Sequence, residues 1–245
     1  MRSETPAIVC AHRSHGEHGA IVRLMTPAQG LVAVYVRGAR GRRMRPTLIA
    51  GNLIEAEISA RTETQLPQAR IELVHSRGPL LSEPLPAAGI EWTTVLTAAA
   101  LPEGQPYPSL YEALEGLLDA IEAAPSASGW GAGLVRFELL LLAELGFGLD
   151  LSRCAVRGTS NDLVAVSPKS GRAVSAIEAE PYKRALLPFP AFIREGGKAS
   201  WREILEGLEL TGHFLLRDVL TDRSGSIVEL RQRLVERLHR ASGLA

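Results

Sequence analysis

Two cysteines among 245 residues, Cys10 and Cys154, are too few and too far apart for a disulfide framework, and they point to a reducing compartment. Aromatic residues are also scarce, at 5%, which limits any function built on ring stacking. No apolar run approaches the ~20 residues that cross a bilayer; the longest, Leu139 to Leu145, is interrupted by Glu144. The stretch MRSETPAIV has neither the apolar segment nor the small-residue cleavage site of a signal peptide, so no membrane association and a soluble, cytoplasmic protein are expected. Catalytic signatures are missing as well. Gly197-Lys198 is followed by Ala199 without the upstream glycine of a phosphate-binding loop, and no H-E-x-x-H, G-x-S-x-G or dinucleotide fingerprint occurs. A protein without catalytic activity or cofactor is the expectation.

Net charge is zero, so no whole-molecule field draws the chain toward nucleic acid. The charge is segmented, however: residues 1–80 carry +5, residues 81–151 carry −9 and residues 152–245 carry +4. Separate surfaces for separate partners are the natural reading.

Five short stretches rich in Val and Ile predict strands: Ala7–Ala11, Ala20–Met25, Leu31–Arg37, Leu53–Ala60 and Ala69–His75. Turn signals separate them, and so small a sheet gains by closing into a barrel, which hides its edges. After residue 80 the period becomes helical. Three S-x-x-E patterns, Ser109–Glu112, Ser200–Glu203 and Ser226–Glu229, read as capping boxes at helix starts. Leu134–Leu145 reads as a helix buried on most sides. Pro84–Pro86 and Ala124–Gly133 read as breaks, and 152–194 as an irregular insertion with room for one hairpin. The fold class is α+β: an N-terminal five-stranded barrel, residues 1–80, followed by an all-α helical domain, residues 81–245, carrying that insertion.

The segment Arg37-Gly-Ala-Arg40-Gly-Arg42-Arg43-Met-Arg45-Pro holds five guanidiniums on the connection between two strands. Arginine is always charged, and its planar fork of donors matches phosphate oxygens. Nucleic acid is the leading ligand for this loop; a solvated loop kept soluble by its charge is the bland alternative. Lys169 and Arg172 form a second, weaker basic group in S-P-K-S-G-R, whose composition reads as a turn. Arg231, Arg233, Arg237 and Arg240 lie opposite an apolar stripe and read as a solvated helix face. Cys10, His12, His15 and His18 cluster locally but have no recognised zinc spacing, and an exposed polar turn is the simpler reading.

An ordered set of segments resembles the RecO family of bacterial recombination and repair proteins. AIVCAHR, HGEHGAIVRLMT, GLVAVYVRGARGRRMRP and LIAGNLIEAEI occur in sequence, followed by LYEALEGLLDAI, FELLLLAELGFGLDLSRCAV and LVAVSPKSGRAVS. The resemblance implies an oligonucleotide/oligosaccharide-binding (OB) barrel followed by a helical domain. It implies binding of single- and double-stranded DNA, annealing of complementary strands and partnership with RecR. It also implies help to RecA in displacing single-strand-binding protein, whose acidic C-terminal tail is an expected partner. Arg37, Arg40, Arg42, Arg43 and Arg45 become the expected DNA contacts. Many members carry a four-cysteine zinc site after the long buried helix. Here only Cys154 stands there, Arg157 takes the place of its C-x-x-C partner, and no zinc is expected. An adaptor whose basic surfaces meet acidic protein tails rather than DNA is the competing reading.

Overall fold

The computed structural model describes residues 2–60, 62, 65–124, 126–221 and 225–244. Five strands close a barrel in the order β1-β2-β3-β5-β4: β1 (Arg2–His15), β2 (Gly19–Thr26), β3 (Gly30–Val36), β4 (Leu53–Ser59) and β5 (Gln68–His75). All neighbours run antiparallel except β3 and β5, which meet in parallel at Tyr35↔Gln68 and Val36↔Ala69. This is the OB architecture. β1 serves two partners, Arg2–Ile8 facing β4 and Ile8–His15 facing β2. A register shift between Val9 and Ala11 bends the strand between these tasks, as a bulge does.

Alternation fills the barrel. Ala7, Val9, Val22, Leu24, Val34, Val36, Ile54, Ala56 and Ile71 form one buried cluster. The intervening Ile8 and Cys10 are buried too, and β1 packs against the helix α1 (Pro84–Ala100). That helix corrects the expected break at Pro84–Pro86. A proline in the first turn gives up no intrahelical hydrogen bond, because the first amides of a helix have no partner, so Pro84 opens α1 rather than preventing it. The next helix, α2 (Pro108–Ala123), begins ahead of Ser109, which therefore lies inside it rather than at its cap.

Contacts divide the chain into two compact units, Met1–Ala123 and Ala124–Ala245. The barrel thus shares its unit with α1 and α2, and the change of period near residue 80 is a separate feature from the division near residue 124.

The second unit is built on α3 (Gly131–Glu144), α6 (Trp201–Phe214, running on through a π turn to Val219) and α7 (Gly225–Ser242). Ser200 caps α6 with a complete capping box: its hydroxyl accepts from the Glu203 amide, while the Glu203 carboxylate accepts from the Ser200 amide at 2.9 Å. The insertion holds a small sheet, with β6 (Leu163–Val166) between β7 (Ala173–Ser175) and β8 (Leu187–Pro188), and two short helices, α4 (Ala176–Ala179) and α5 (Ala191–Glu195).

One side chain reverses its expected setting. Arg231 is not on a solvated face; it is 8% exposed and pairs with Glu138 of α3, which is fully buried. Its Nη2 donates to Glu138 Oε2 at 2.9 Å and to the Leu208 carbonyl at 2.7 Å, and the Thr211 hydroxyl donates to the same carboxylate. Gly212 makes this possible, since a Cβ there would fall 2.2 Å from the guanidinium. Among the described residues, no helix is long and apolar enough to cross a membrane.

Candidate nucleic-acid interface

The chain leaves β3 through Gly38, whose φ of +70° is open to glycine at no steric cost. It then folds through turns in which the Gly41 amide donates to the Gly38 carbonyl and the Met44 and Arg45 amides to the Gly41 carbonyl. Within this segment the apolar and basic residues part company. Ala39 and Leu48 are buried in the barrel cluster, and Met44 packs against it. Arg37, Arg40, Arg42, Arg43 and Arg45 all remain exposed. Fully buried Asn52 secures the far end: its amide donates to the Pro46 carbonyl at 2.8 Å and the Thr47 carbonyl at 3.2 Å, and its oxygen accepts from the Arg77 amide. Five like charges are therefore held on a pinned segment.

Arg40 also reaches the neighbouring β1–β2 turn, donating to the Glu17 carbonyl at 3.2 Å. A groove of about 340 Å³ at this end of the barrel lies among Arg40, Arg45, His12 and Ser14, with Ala20, Ala39 and Leu48 as its apolar lining. A second groove, about 510 Å³, runs over the outer side of β1, β2 and β3 beside Arg13, Ile21, Arg23 and Ala33, and is bounded by Leu66 and Glu103. Arg23 is committed there, paired with Glu103 at 2.6 Å and donating to the Ala98 carbonyl.

Of the four aromatic residues in the first unit, Trp92, Tyr107 and Tyr111 are buried. Tyr35 alone is partly exposed, its ring edge-on to His15 at 6.0 Å. Sequence reasoning missed Tyr35. Its place opposite Ile21 on the outward row follows from register, which composition does not reveal.

The Cys10 and histidine group does not assemble. Cys10 is buried, and burial pushes its thiol up to about 12, while His12, His15 and His18 are exposed. Among the described residues no three His, Cys, Asp or Glu side chains are grouped to hold a metal.

Lys169 and Arg172 stand on the second unit, both exposed, on the β6–β7 turn. Arg172 faces Asp150 at 3.4 Å, and the Lys169 carbonyl accepts from Arg217 at 3.2 Å. Cys154 is buried against Ser175 of β7. Burial alone would raise its thiol. The Arg157 amide, the Ser175 hydroxyl and amide, and the Val156 amide outweigh that and bring it down to about 7. Arg157 itself turns to Glu178 at 2.5 Å. One thiol and one guanidinium do not make the four-ligand set that a structural zinc needs, so the group does not fit here.

A groove of about 650 Å³ between α6 and α7 is lined by Leu205, Leu216 and Val235, with Arg202, His213 and His239 beside them. Glu206 and Glu209 share it. Burial holds the Glu206 carboxyl above its usual range, partly offset by Arg202.

The family models for the N-terminal and C-terminal parts of recombination protein O match residues 1–77 and 87–224. The chain is 43% identical over 248 residues to the DNA repair protein RecO of Caulobacter vibrioides strain NA1000, covering 100% of both chains. It is equally similar, at 43% over 248 residues and the same coverage, to that of Phenylobacterium zucineum. Against the Rhodospirillum centenum protein it is 40% identical over 238 residues, covering 96% of this chain and 94% of the other. The barrel, the helical region and these full-length similarities agree: the chain belongs to the RecO family of DNA repair proteins.

Proposed function

We propose that this chain is a non-catalytic recombination mediator of the cytoplasm. In this reading it binds single- and double-stranded DNA through basic residues, anneals complementary strands and, with RecR, helps RecA load onto DNA coated with single-strand-binding protein. The observation that carries the reading is the division of labour in the β3–β4 segment. Ala39 and Leu48 sink into the barrel while all five guanidiniums face solvent. A merely solvated loop has no need of such anchoring; a phosphate grip does. Arginines bind phosphates with little regard to base sequence and release condensed counterions as they do so. With Tyr35 as the one partly exposed ring of the first unit, charge rather than stacking dominates. Lys169 and Arg172 supply further phosphate contacts from the second unit.

The test is a salt titration of single-stranded oligonucleotide binding. Replacing Arg42 and Arg43 by alanine is expected to lower the log–log salt slope by about 0.7 for each phosphate contact removed, and to slow annealing. An unchanged slope sinks the assignment.

The apolar lining of the groove between α6 and α7, with Arg202 beside it and despite Glu206 and Glu209, supports a second activity on the same chain, capture of an acidic, apolar-ended tail such as that of single-strand-binding protein. Arg202→Ala is expected to weaken binding of such a peptide while leaving oligonucleotide binding intact. If the Arg42/Arg43 variant loses peptide and keeps DNA, the arginine segment meets acidic tails rather than DNA, and the adaptor reading is favoured.

A further inference from the structure

Four carboxylates of the first unit stand where a helix gains nothing from them. Glu112, Glu115, Asp119 and Glu122 recur along α2 at spacings of three, four and three, so they form one stripe, and α2 contains no Lys or Arg. Like charges three or four residues apart destabilise a helix, and carboxylates in its last turn oppose the helix dipole. The acidic surface continues onto the barrel. Glu55 of β4 sits directly opposite Glu72 of β5. Burial, and then the charges of Glu115 and Glu55, push the Tyr111 phenol up to about 12, which sets Glu55 beside the stripe. Arg77 answers part of this charge by pairing with Asp119 and Glu122, and His75 Nε2 lies 2.7 Å from Glu122. Among the described residues, Glu112 and Glu115 form no ion pair.

A groove of about 340 Å³ opens at this stripe, lined by Leu53, His75, Arg77, Glu115, Asp119 and Glu122. The Arg77 side chain is 2% exposed, and its Nε makes no hydrogen bond among the described residues, although Glu122 stands 3.4 Å away. A buried N–H without an acceptor is costly. The groove therefore suits a ligand that brings an oxygen for Nε and cations for the surrounding carboxylates. A polypeptide segment rich in arginine has both, in its carbonyls and its guanidiniums. The chain carries such a segment. Arg37, Arg40, Arg42, Arg43 and Arg45 are exposed, and among the described residues no ion pair joins them to the stripe. Net charge is zero, so copies meet without long-range repulsion. We infer that the α2 stripe and its groove are a docking surface for the arginine segment of a second copy of this chain. The docking does not depend on the DNA-binding reading; where the segment also grips phosphates, a strand and a second copy compete for it.

The test is sedimentation of the full chain without DNA. The average mass is expected to exceed that of the monomer at about 0.05 M salt and to return to it at about 0.5 M, where exposed charges are screened. Arg42→Glu with Arg43→Glu, and separately Glu112→Lys with Glu115→Lys, are each expected to weaken association by about tenfold or more. Neither glutamate pairs with Arg77, so α2 keeps its anchor, and melting as in the wild type excludes a folding defect. The milder Glu112→Gln with Glu115→Gln is expected to fall between. Mixing the two charge-reversed variants sets opposite charges against each other again, and association is expected to recover to within about threefold of wild type. A wild type that stays monomeric at low salt overturns the docking. So does a mixture that associates no better than its parts, or association that persists in either variant alone. The salt slope of oligonucleotide binding is read separately. If the arginine variant lowers that slope and no association is seen, only the docking falls; if association behaves as expected and the slope is unchanged, only the phosphate grip falls.

Discussion

Arginine does two opposite jobs in this molecule. On the β3–β4 segment five guanidiniums are exposed and their backbone is pinned by apolar neighbours. At Arg77 and Arg231 the guanidinium itself is buried and does the pinning. Arg77 is 2% exposed, donates to the Gly51 carbonyl at 2.6 Å and pairs with Asp119 of α2. Its Nε faces Glu122 at 3.4 Å but makes no hydrogen bond among the described residues. The two populations show that charge density along the chain does not by itself say whether a guanidinium stays in water. A lone arginine near an acidic helix is as ready to become internal scaffolding.

Mutation can break or sharpen that contrast. The largest effect is expected at Arg231→Ala. It strands the buried Glu138 carboxylate, and removal of one partner of a buried pair costs about 3–5 kcal/mol. Chemical denaturation would read this, and DNA affinity per folded molecule should not change. A cost below ~1 kcal/mol would mean that the pair is solvated in practice. Arg77→Ala should cost less, about 1–3 kcal/mol, because its partner Asp119 is 63% exposed and already hydrated while the Gly51 carbonyl loses a donor.

Ser200→Ala removes the cap of α6 and should cost about 1 kcal/mol at neutral pH. The Glu203 carboxyl is held below its usual range by the Ser200 amide and hydroxyl. A depressed carboxyl contributes stability above its unfolded value, about 4.3, and loses it as pH falls through the folded value. The gap between wild type and Ser200→Ala should therefore narrow in acid; a gap constant down to pH 3 would refute the reciprocal cap. The smallest effect on stability is expected for the Arg42/Arg43 double variant, within about 0.5 kcal/mol of wild type even where it loses DNA binding as proposed. A large destabilisation there would place those side chains among the scaffolding and erase the contrast.

The strands were legible because period-2 alternation with β-branched residues is a local signal, and each of the five overlaps the stretch the sequence predicts, although β1 runs from Arg2 to His15, well past Ala7–Ala11. The arginine segment was equally plain. What stayed hidden depends on distant partners. α1 opens with Pro84 and contains Thr93, Thr94 and Thr97, residues of poor helix propensity. Their hydroxyls donate back to carbonyls one turn earlier, as Thr97 does to Thr93 at 2.7 Å, so burial in the barrel unit overrides propensity. Arg231 looked like its neighbours Arg233 and Arg237 because its partner Glu138 is far away in sequence, on another helix. His12 and Tyr35 acquire meaning only from strand register and from a bend in β1.

The anchoring of the basic segment has a consequence for kinetics. A mobile loop with five like charges would spread out in solution and would have to be gathered each time a polymer docks, an entropic toll on every encounter. Here Ala39, Leu48 and Asn52 have settled that toll during folding. Association is then governed by long-range attraction and collision rather than by loop rearrangement, and release is governed by how fast ions return to the phosphates. If the segment binds DNA as proposed, such a surface can take up and surrender strands quickly, which suits the mediator role proposed above.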